Sequence, residues 1–386
     1  MESRACVMCR EQLRFLGLIH RLFSRFKIAP TEDLSYHRRM KTNHIVSFDQ
    51  IGAEQWDAFV QQQPESSLYH FSAWRDVFKK TYGLNAFYLA CVDTQDQIQG
   101  VLPLLQQKSR LFGHHLISLP FFINYADVLA VNDEVAQQLY NGALELAKAQ
   151  RADSMTLRST HTKPLSWPCR EDKICMHLSL PDDPDILSKA LGAKRRSQIK
   201  RPEREGIEII HGGLECVDDF YEVIAHNMRD LGSPVHARKL YQEICKAFPE
   251  NTHIVVIKKD QRPVAAGFLI GYKGLLEIPW ASSLREYNRI GVNMRLYWEV
   301  LKYAIEQGYH TFDFGRSSKD SGTYRFKKQW GAEPVQCYWY TWNKLGETET
   351  SLSNENPKFQ LAIKIWQRLP VGIAKTIGPH LVKYLP

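Results

Sequence analysis

Two stretches near the C-terminal end carry the side chains best suited to chemistry. The first is Thr311-Phe312-Asp313-Phe314-Gly315-Arg316-Ser317-Ser318, an apolar run that delivers a carboxylate and an arginine beside a glycine. Asp313 is either a base or the ion-pair partner of Arg316. The second is Gly322-Thr323-Tyr324-Arg325-Phe326-Lys327-Lys328-Gln329-Trp330-Gly331, which sets a phenol and two lysines directly after a glycine turn. Tyr324 is either a proton donor or a packing aromatic. Upstream, Arg289-Ile290-Gly291-Val292-Asn293 opens a helix. A helix start offers unpaired N–H groups and the positive end of the helix dipole, so Arg289, Gly291 and Asn293 are candidates to hold an anion.

The elements around these residues must position them. Leu275 to Ala281 reads as a strand that carries Glu277. It is followed by a loop, then a helix Asn293 to Gln307 with Met294, Tyr297, Leu301 and Ile305 at near-helical spacing. Gly308 stops the helix, and a short buried strand, 311–314, ends on Gly315. A hairpin, Ile254 to Ile270, turns at Lys259-Asp260-Gln261-Arg262 ahead of this unit. The first half of the chain repeats the order. Helices Ala53 to Gln61 and Ser72 to Tyr82, with Ser72 as N-cap and Gly83 as stop, precede a hairpin from Tyr88 to Leu105. An apolar segment Leu116 to Val131, a helix Glu134 to Ala149 and a strand Ser154 to Leu157 follow. The repetition reads as a distant internal duplication in an α/β (α+β) chain. Its parts are a basic leader at 1–40, a first lobe at 41–180, a second lobe at 181–345 and a tail at 346–386.

Bulk properties exclude several classes. The 386 residues are 44% hydrophobic, which supports a real core. Residues 1–40 hold eight Lys and Arg against four Asp and Glu, half of the whole chain's excess of +8. The leader is either a membrane-surface helix or a stretch before a true start at Met40. The rest is too mildly basic to imply nucleic acid, and its basic residues lack interleaved aromatics, so DNA is not an expected partner. Cys6-x-x-Cys9 has no second pair at zinc spacing, and no metal is expected. The scattered cysteines fit a reducing cytoplasm. Lys194, Arg195, Arg196, Lys200 and Arg201 spread around a helix, either as solvated charge or as a grip on phosphates. The tail turns apolar and basic after Pro357, with Phe359, Leu361, Ile363, Ile365 and Trp366. It either packs on the second lobe or touches a membrane surface.

The strand, loop and helix at 275–307 resemble motif A of the GNAT acyltransferase superfamily, in which a glycine loop holds the coenzyme A pyrophosphate. Tyr324-x-Phe326-Lys327-x-x-Trp330-Gly331-Ala332 resembles the Phe-Lys-x-x-Phe-Gly stretch of FemAB-type aminoacyltransferases, which are tandem GNAT lobes. Pro279-Trp280-Ala281-Ser282-Ser283, Leu296-Tyr297-Trp298 and Phe312-Asp313-Phe314-Gly315-Arg316 are similar to the branch associated with the PEP-CTERM/exosortase system and exopolysaccharide clusters.

The resemblance implies two tandem GNAT-like lobes, each a mixed sheet flanked by helices. It implies an N-acyl or aminoacyl transferase at the cytoplasmic face of the inner membrane, with acyl-CoA or aminoacyl-tRNA as donor. The acceptor would be an amino group of an envelope or polysaccharide precursor, and the stretch Lys194–Arg204 would meet tRNA. Such transfer needs a base for the amine proton, a donor to the oxyanion and cations for phosphates. By resemblance Lys327 stands at the transferred carbonyl and Glu277 where GNAT enzymes carry a base. Trp280, Asn124 and Tyr125 fall in substrate-binding segments, and Arg316 is a further binding cation.

Overall fold

Strand alternation and one proline shape the first lobe. The computed structural model describes residues 43–109, 112–346 and 357–384, so the leader, the candidate start at Met40 and Cys6-x-x-Cys9 lie outside the described residues. Helices Ala53–Gln62 and Ala73–Tyr82 bury Trp56, Trp74 and Phe78. Ser72 does not cap the second of these helices. Its backbone is already helical, at φ −63° and ψ −30°, rather than extended as in an N-cap, and its N–H and hydroxyl donate to Asp57 at 2.8 and 2.9 Å. The expected return strand of the hairpin divides at Pro103-Leu104, since proline cannot supply a ladder hydrogen bond. Ile98–Leu102 stays in a four-stranded sheet, and Leu105–Ser109 joins a six-stranded one. That second sheet contains a parallel pair, Gly113–Ile117 beside Ser154–Ser159, joined through the helix Asp133–Ala149.

The second lobe repeats this crossover. Leu275–Ser283 runs parallel to Thr311–Ser318, and the helix Val292–Glu306 connects them. The parallel pairing ends at Glu277 and Asp313, after which the two strands splay. In the first lobe the matching pairing ends at Ile117 and Thr156. Both lobes are therefore mixed sheets with a helix-linked parallel pair at the centre. Gly315 does not end its strand. It sits at φ 73° inside a strand that continues to Ser318, a conformation cheap only for glycine.

The lobes exchange their last strands. Lys173–Ser179, on the first-lobe side of the expected division at 180/181, pairs antiparallel with Thr311–Ser318 in the seven-stranded sheet. Tyr338–Asn343 returns to pair antiparallel with Ser154–Ser159 of the first. Alternation drives the exchange: Ile174, Met176 and Leu178 bury into the second-lobe core, which requires that sheet. One aromatic core also joins both halves, with Trp74 packed on Phe248 and Phe122 on Trp280. Residues 42–386 accordingly form a single compact unit.

The tail contributes helices Pro357–Gln367 and Val371–Val382, which pack on the second-lobe helix Val217–Leu231. Lys375 pairs with Glu222, and an Arg229 amine donates to the Leu369 carbonyl at 2.8 Å. Gly378 lies so close to Val235 that an added Cβ would meet its backbone at 2.9 Å. Among the described residues no helix is long and apolar enough to cross a membrane.

Candidate active site between the lobes

The second-lobe strands sort their side chains by parity. Leu276, Ile278, Phe312 and Phe314 face the helix-covered core. Glu277 and Asp313, in register on the parallel pair, take the opposite face, toward the first lobe. Both are buried, at 1% and 0% exposure. Two carboxyls side by side out of water need partners, and the first lobe supplies them. The Tyr69 hydroxyl donates to one Glu277 oxygen at 2.5 Å, and the Tyr125 hydroxyl to Asp313 at 3.3 Å. Asp313 also accepts the Gly315 N–H at 2.7 Å and lies 3.3 Å from the His177 Nε2. The second Glu277 oxygen is buried with no hydrogen-bond partner among the described residues.

This environment sets the proton affinities. Burial, reinforced by the Asp313 carboxylate, pushes Glu277 well above the ordinary range of a glutamate. Burial and the nearby Glu277 raise both Tyr69 and Tyr125, which stay phenolic and act as donors. Burial works to lower His177, but its contact with Asp313 outweighs that, and the imidazole ends with its pKa raised. Burial pulls Lys327 down to about 8 against the attraction of Asp313.

Lys327 comes from the helix Gly322–Lys328, capped by the Ser321 hydroxyl. Its ammonium donates to the carbonyls of Gly315 and Arg316, at 2.9 and 3.0 Å. An ammonium has three protons, so one donor remains. It is tied to the strand end just beyond Asp313, and it lines neither of the two cavities that flank the site.

The first cavity, of about 350 Å³, lies between the lobes, with Tyr69, Tyr125, His177 and Glu277 among its walls. Lys163, paired with Asp127 at 3.4 Å, also lines it. The second, of about 430 Å³, opens where the strands have splayed, between Ala281–Ser283 and the start of the helix Val292–Glu306. Gly291 and Asn293 line this second cavity. Gly291 has φ 89°, and a Cβ there would meet the Gln198 carbonyl at 3.0 Å, so the segment 192–205 packs over the helix start. Arg289 is exposed beside it.

Other expected site residues sit elsewhere. Trp280 is enclosed by Phe122, Tyr241 and Phe268 and serves the aromatic core. Tyr324 is half-buried against the second-lobe core, and its hydroxyl makes no hydrogen bond among the described residues. Asn124 is 3% exposed; its backbone carbonyl accepts from the Trp339 indole at 3.2 Å. Asp313 does not pair with Arg316, which is exposed and lies over the Trp339 ring. Arg195 and Arg196 turn back onto the carbonyls of Leu191, Ser188 and Lys189, which leaves Lys194, Lys200, Arg201 and Arg204 as the exposed charges of that stretch. Among the described residues no cluster of His, Cys, Asp and Glu could hold a metal ion.

Residues 193–328 match the acetyltransferase (GNAT) domain family, a span that contains Glu277, Asp313 and Lys327. Over that span the second lobe is similar to GNAT acetyltransferase domains. Lipid II:glycine glycyltransferase of Staphylococcus aureus (strain MRSA252) is 22% identical to this chain, across 83% of it and 96% of that protein. The crystal structure of FemX superposes with a TM-score of 0.57 at 17% identity, covering 76% of this chain and 97% of that one. A tandem GNAT protein from the clavulanic acid biosynthesis pathway gives 0.52 at 12% identity, covering 80% and 99%. The tandem-lobe architecture of this chain is thus shared with solved structures.

Tyr69 and His177 escape a reading of the sequence alone. Tyr69 lies in Ser67-Leu68-Tyr69-His70, which carries no motif, and it reaches Glu277 from 208 positions away. His177 belongs to the exchanged strand, so only the fold brings it to Asp313.

Proposed function

We propose that the protein transfers an acyl or aminoacyl group to an amino group of a cell-envelope or exopolysaccharide precursor. The observation that carries this is the buried Glu277–Asp313 pair at the wall of the inter-lobe cavity, met by tyrosines from the other lobe. The amine nitrogen attacks the acyl carbon, a C–N bond forms, and the carbonyl oxygen gains negative charge. Glu277 takes the amine proton; a carboxyl with raised proton affinity is a better base than an ordinary glutamate. Lys327 lines neither cavity, so its remaining proton reaches the oxyanion only where the acyl carbonyl is seated against the strand at Gly315. Collapse breaks the bond to the leaving group, the thiolate of coenzyme A or a tRNA ribose oxygen, and the proton follows it.

The donor, acyl-CoA or aminoacyl-tRNA, enters by the splayed strands, where the cavity meets the helix start at Gly291 and Asn293. The exposed Lys194, Lys200, Arg201 and Arg204 stand over that entrance for the phosphates of either donor. Mass spectrometry of amine acceptors incubated with the full chain and each donor class should show acylated product with one class. Silence with both, at protein concentrations that bind donor, contradicts the assignment.

Exposed apolar residues of the tail support a peripheral contact with the inner face of the membrane. Leu361, Ile365, Ile373, Ile377 and Leu381 are 42–59% exposed, at i, i+4 spacing within each helix. Residues 357–386 contain no Asp or Glu and five Lys or Arg. Flotation with vesicles rich in anionic lipid should carry the protein upward. Ile373→Asp with Ile377→Asp should weaken partition roughly 100-fold, since each isoleucine contributes about 1.5–3 kcal/mol on burial. Equal flotation of both proteins would remove the tail from membrane contact.

A further inference from the structure

The exchanged strands bring together a second charged cluster, outside the carboxyl pair. Three guanidinium carbons lie around the Trp339 indole: Arg158 at 4.4 Å, Arg316 at 5.0 Å and Arg170 at 5.6 Å from the ring centre. Pairing accounts for the arrangement. Trp339 stands opposite Arg158 on one neighbouring strand and opposite Arg170 on the other. Arg316 arrives from the second lobe, three residues past the last parallel rung, as Arg158 arrives two residues past the equivalent rung of the first. The splayed ends of both lobes therefore converge on one ring.

The cluster has more positive charge than its surroundings neutralise. Asp172 pairs with Arg170 at 3.2 Å and with Lys173 at 2.9 Å. Arg158 and Arg316 have no carboxylate partner among the described residues. Arg158 is only 5% exposed and spends one amine on the carbonyl of Ile123, at 2.8 Å. Its Nε is buried with no hydrogen-bond partner. Burial and the two neighbouring guanidiniums hold its pKa down to about 9. An indole face attracts a cation but carries no neutralising charge. A buried guanidinium without an anion is costly, and it is retained where a ligand supplies the anion.

We propose that Arg158, Arg170 and Arg316, stacked around Trp339, form a receptor for the diphosphate of the acceptor substrate. Planar guanidinium forks match phosphate oxygens two at a time, and three converging forks suit a polyanion better than a single carboxylate. Arg158 also lines the inter-lobe cavity, so a diphosphate held here places the rest of the molecule beside Glu277. The proposal rests on the transferase reading only for what carries the diphosphate.

Isothermal titration of the full chain with sodium pyrophosphate tests the receptor without any turnover. Saturable binding is expected, weakened roughly tenfold by Arg170→Ala and by Arg316→Ala, and partly kept in Arg316→Lys, which retains charge but loses the fork. Both arginines lie at the surface, so the variants should fold. Lys79→Ala with Lys239→Ala, exposed on helices outside both sites, should leave the titration unchanged. Uridine diphosphate and farnesyl diphosphate as further probes separate a nucleotide source from a lipid source. Absent binding of all three probes, or affinity unmoved in the Arg170→Ala, Arg316→Ala double variant, overturns the receptor. Neither result touches acyl transfer at Glu277.

Discussion

Replacing Glu277 with glutamine is expected to slow amide formation by about 10²–10⁴-fold, the usual worth of a positioned general base, while making the protein more stable. The two effects come from one cause. Glu277 is buried beside Asp313, and both burial and that charge push its proton affinity up. A neutral amide of the same shape keeps the Tyr69 contact and can donate to Asp313, so it removes a repulsion without opening a cavity. A gain of about 1 kcal/mol would raise the melting temperature by roughly 1–2 °C for a chain of this size. The pH dependence has a definite sign. The folded state holds the Glu277 proton above the ordinary value of 4.5 at which the unfolded chain releases it. Its contribution is fully present below that value and is lost as pH rises toward the folded pKa. The stability advantage of Glu277→Gln should therefore widen as pH climbs from about 4.5. Unchanged turnover in a more stable variant would make Glu277 a structural residue.

Replacing Lys327 with alanine is expected to cost about 10²–10³ in turnover, as for a lost oxyanion donor. The same change frees the carbonyls of Gly315 and Arg316, so stability should also fall. Single-turnover rates measured below the melting transition separate the two effects. Because burial lowers Lys327 to about 8, the ammonium needed for catalysis is lost as pH rises through that value, and the wild-type rate should fall there. A variant that melts earlier but transfers normally would confine Lys327 to holding the strand end.

Much of the frame was legible because local rules decide it. The helix Val292–Glu306 follows from periodic apolar residues and a glycine start, and the duplicated crossover from the repeated order of hairpin, helix and strand. Asp313 stood out as a carboxylate inside an apolar run, whereas Glu277 and Lys327 stood out through the resemblance to GNAT and FemAB-type motifs. What stayed hidden depends on pairing between distant segments. Lys173–Ser179 reads as an ordinary end of the first lobe; only the burial of its alternate residues in the other sheet reveals the exchange. Trp280 looked like a binding aromatic, but the sequence holds no sign of the ring cluster that encloses it. Arg316 was expected near Asp313 on spacing alone, yet it turns outward to Trp339 while Asp313 faces in.

Difference infrared spectroscopy of the wild-type protein against Glu277→Gln over a pH series bears most directly on the buried carboxyl pair as the proton-handling centre. The account predicts a protonated-carboxyl carbonyl band in the wild type that is missing from the variant, that persists above the pH at which an ordinary glutamate ionises, and whose loss with rising pH accompanies the rise in turnover. A spectrum holding only ionised-carboxylate bands, with no difference between the two proteins in the protonated region, would contradict it.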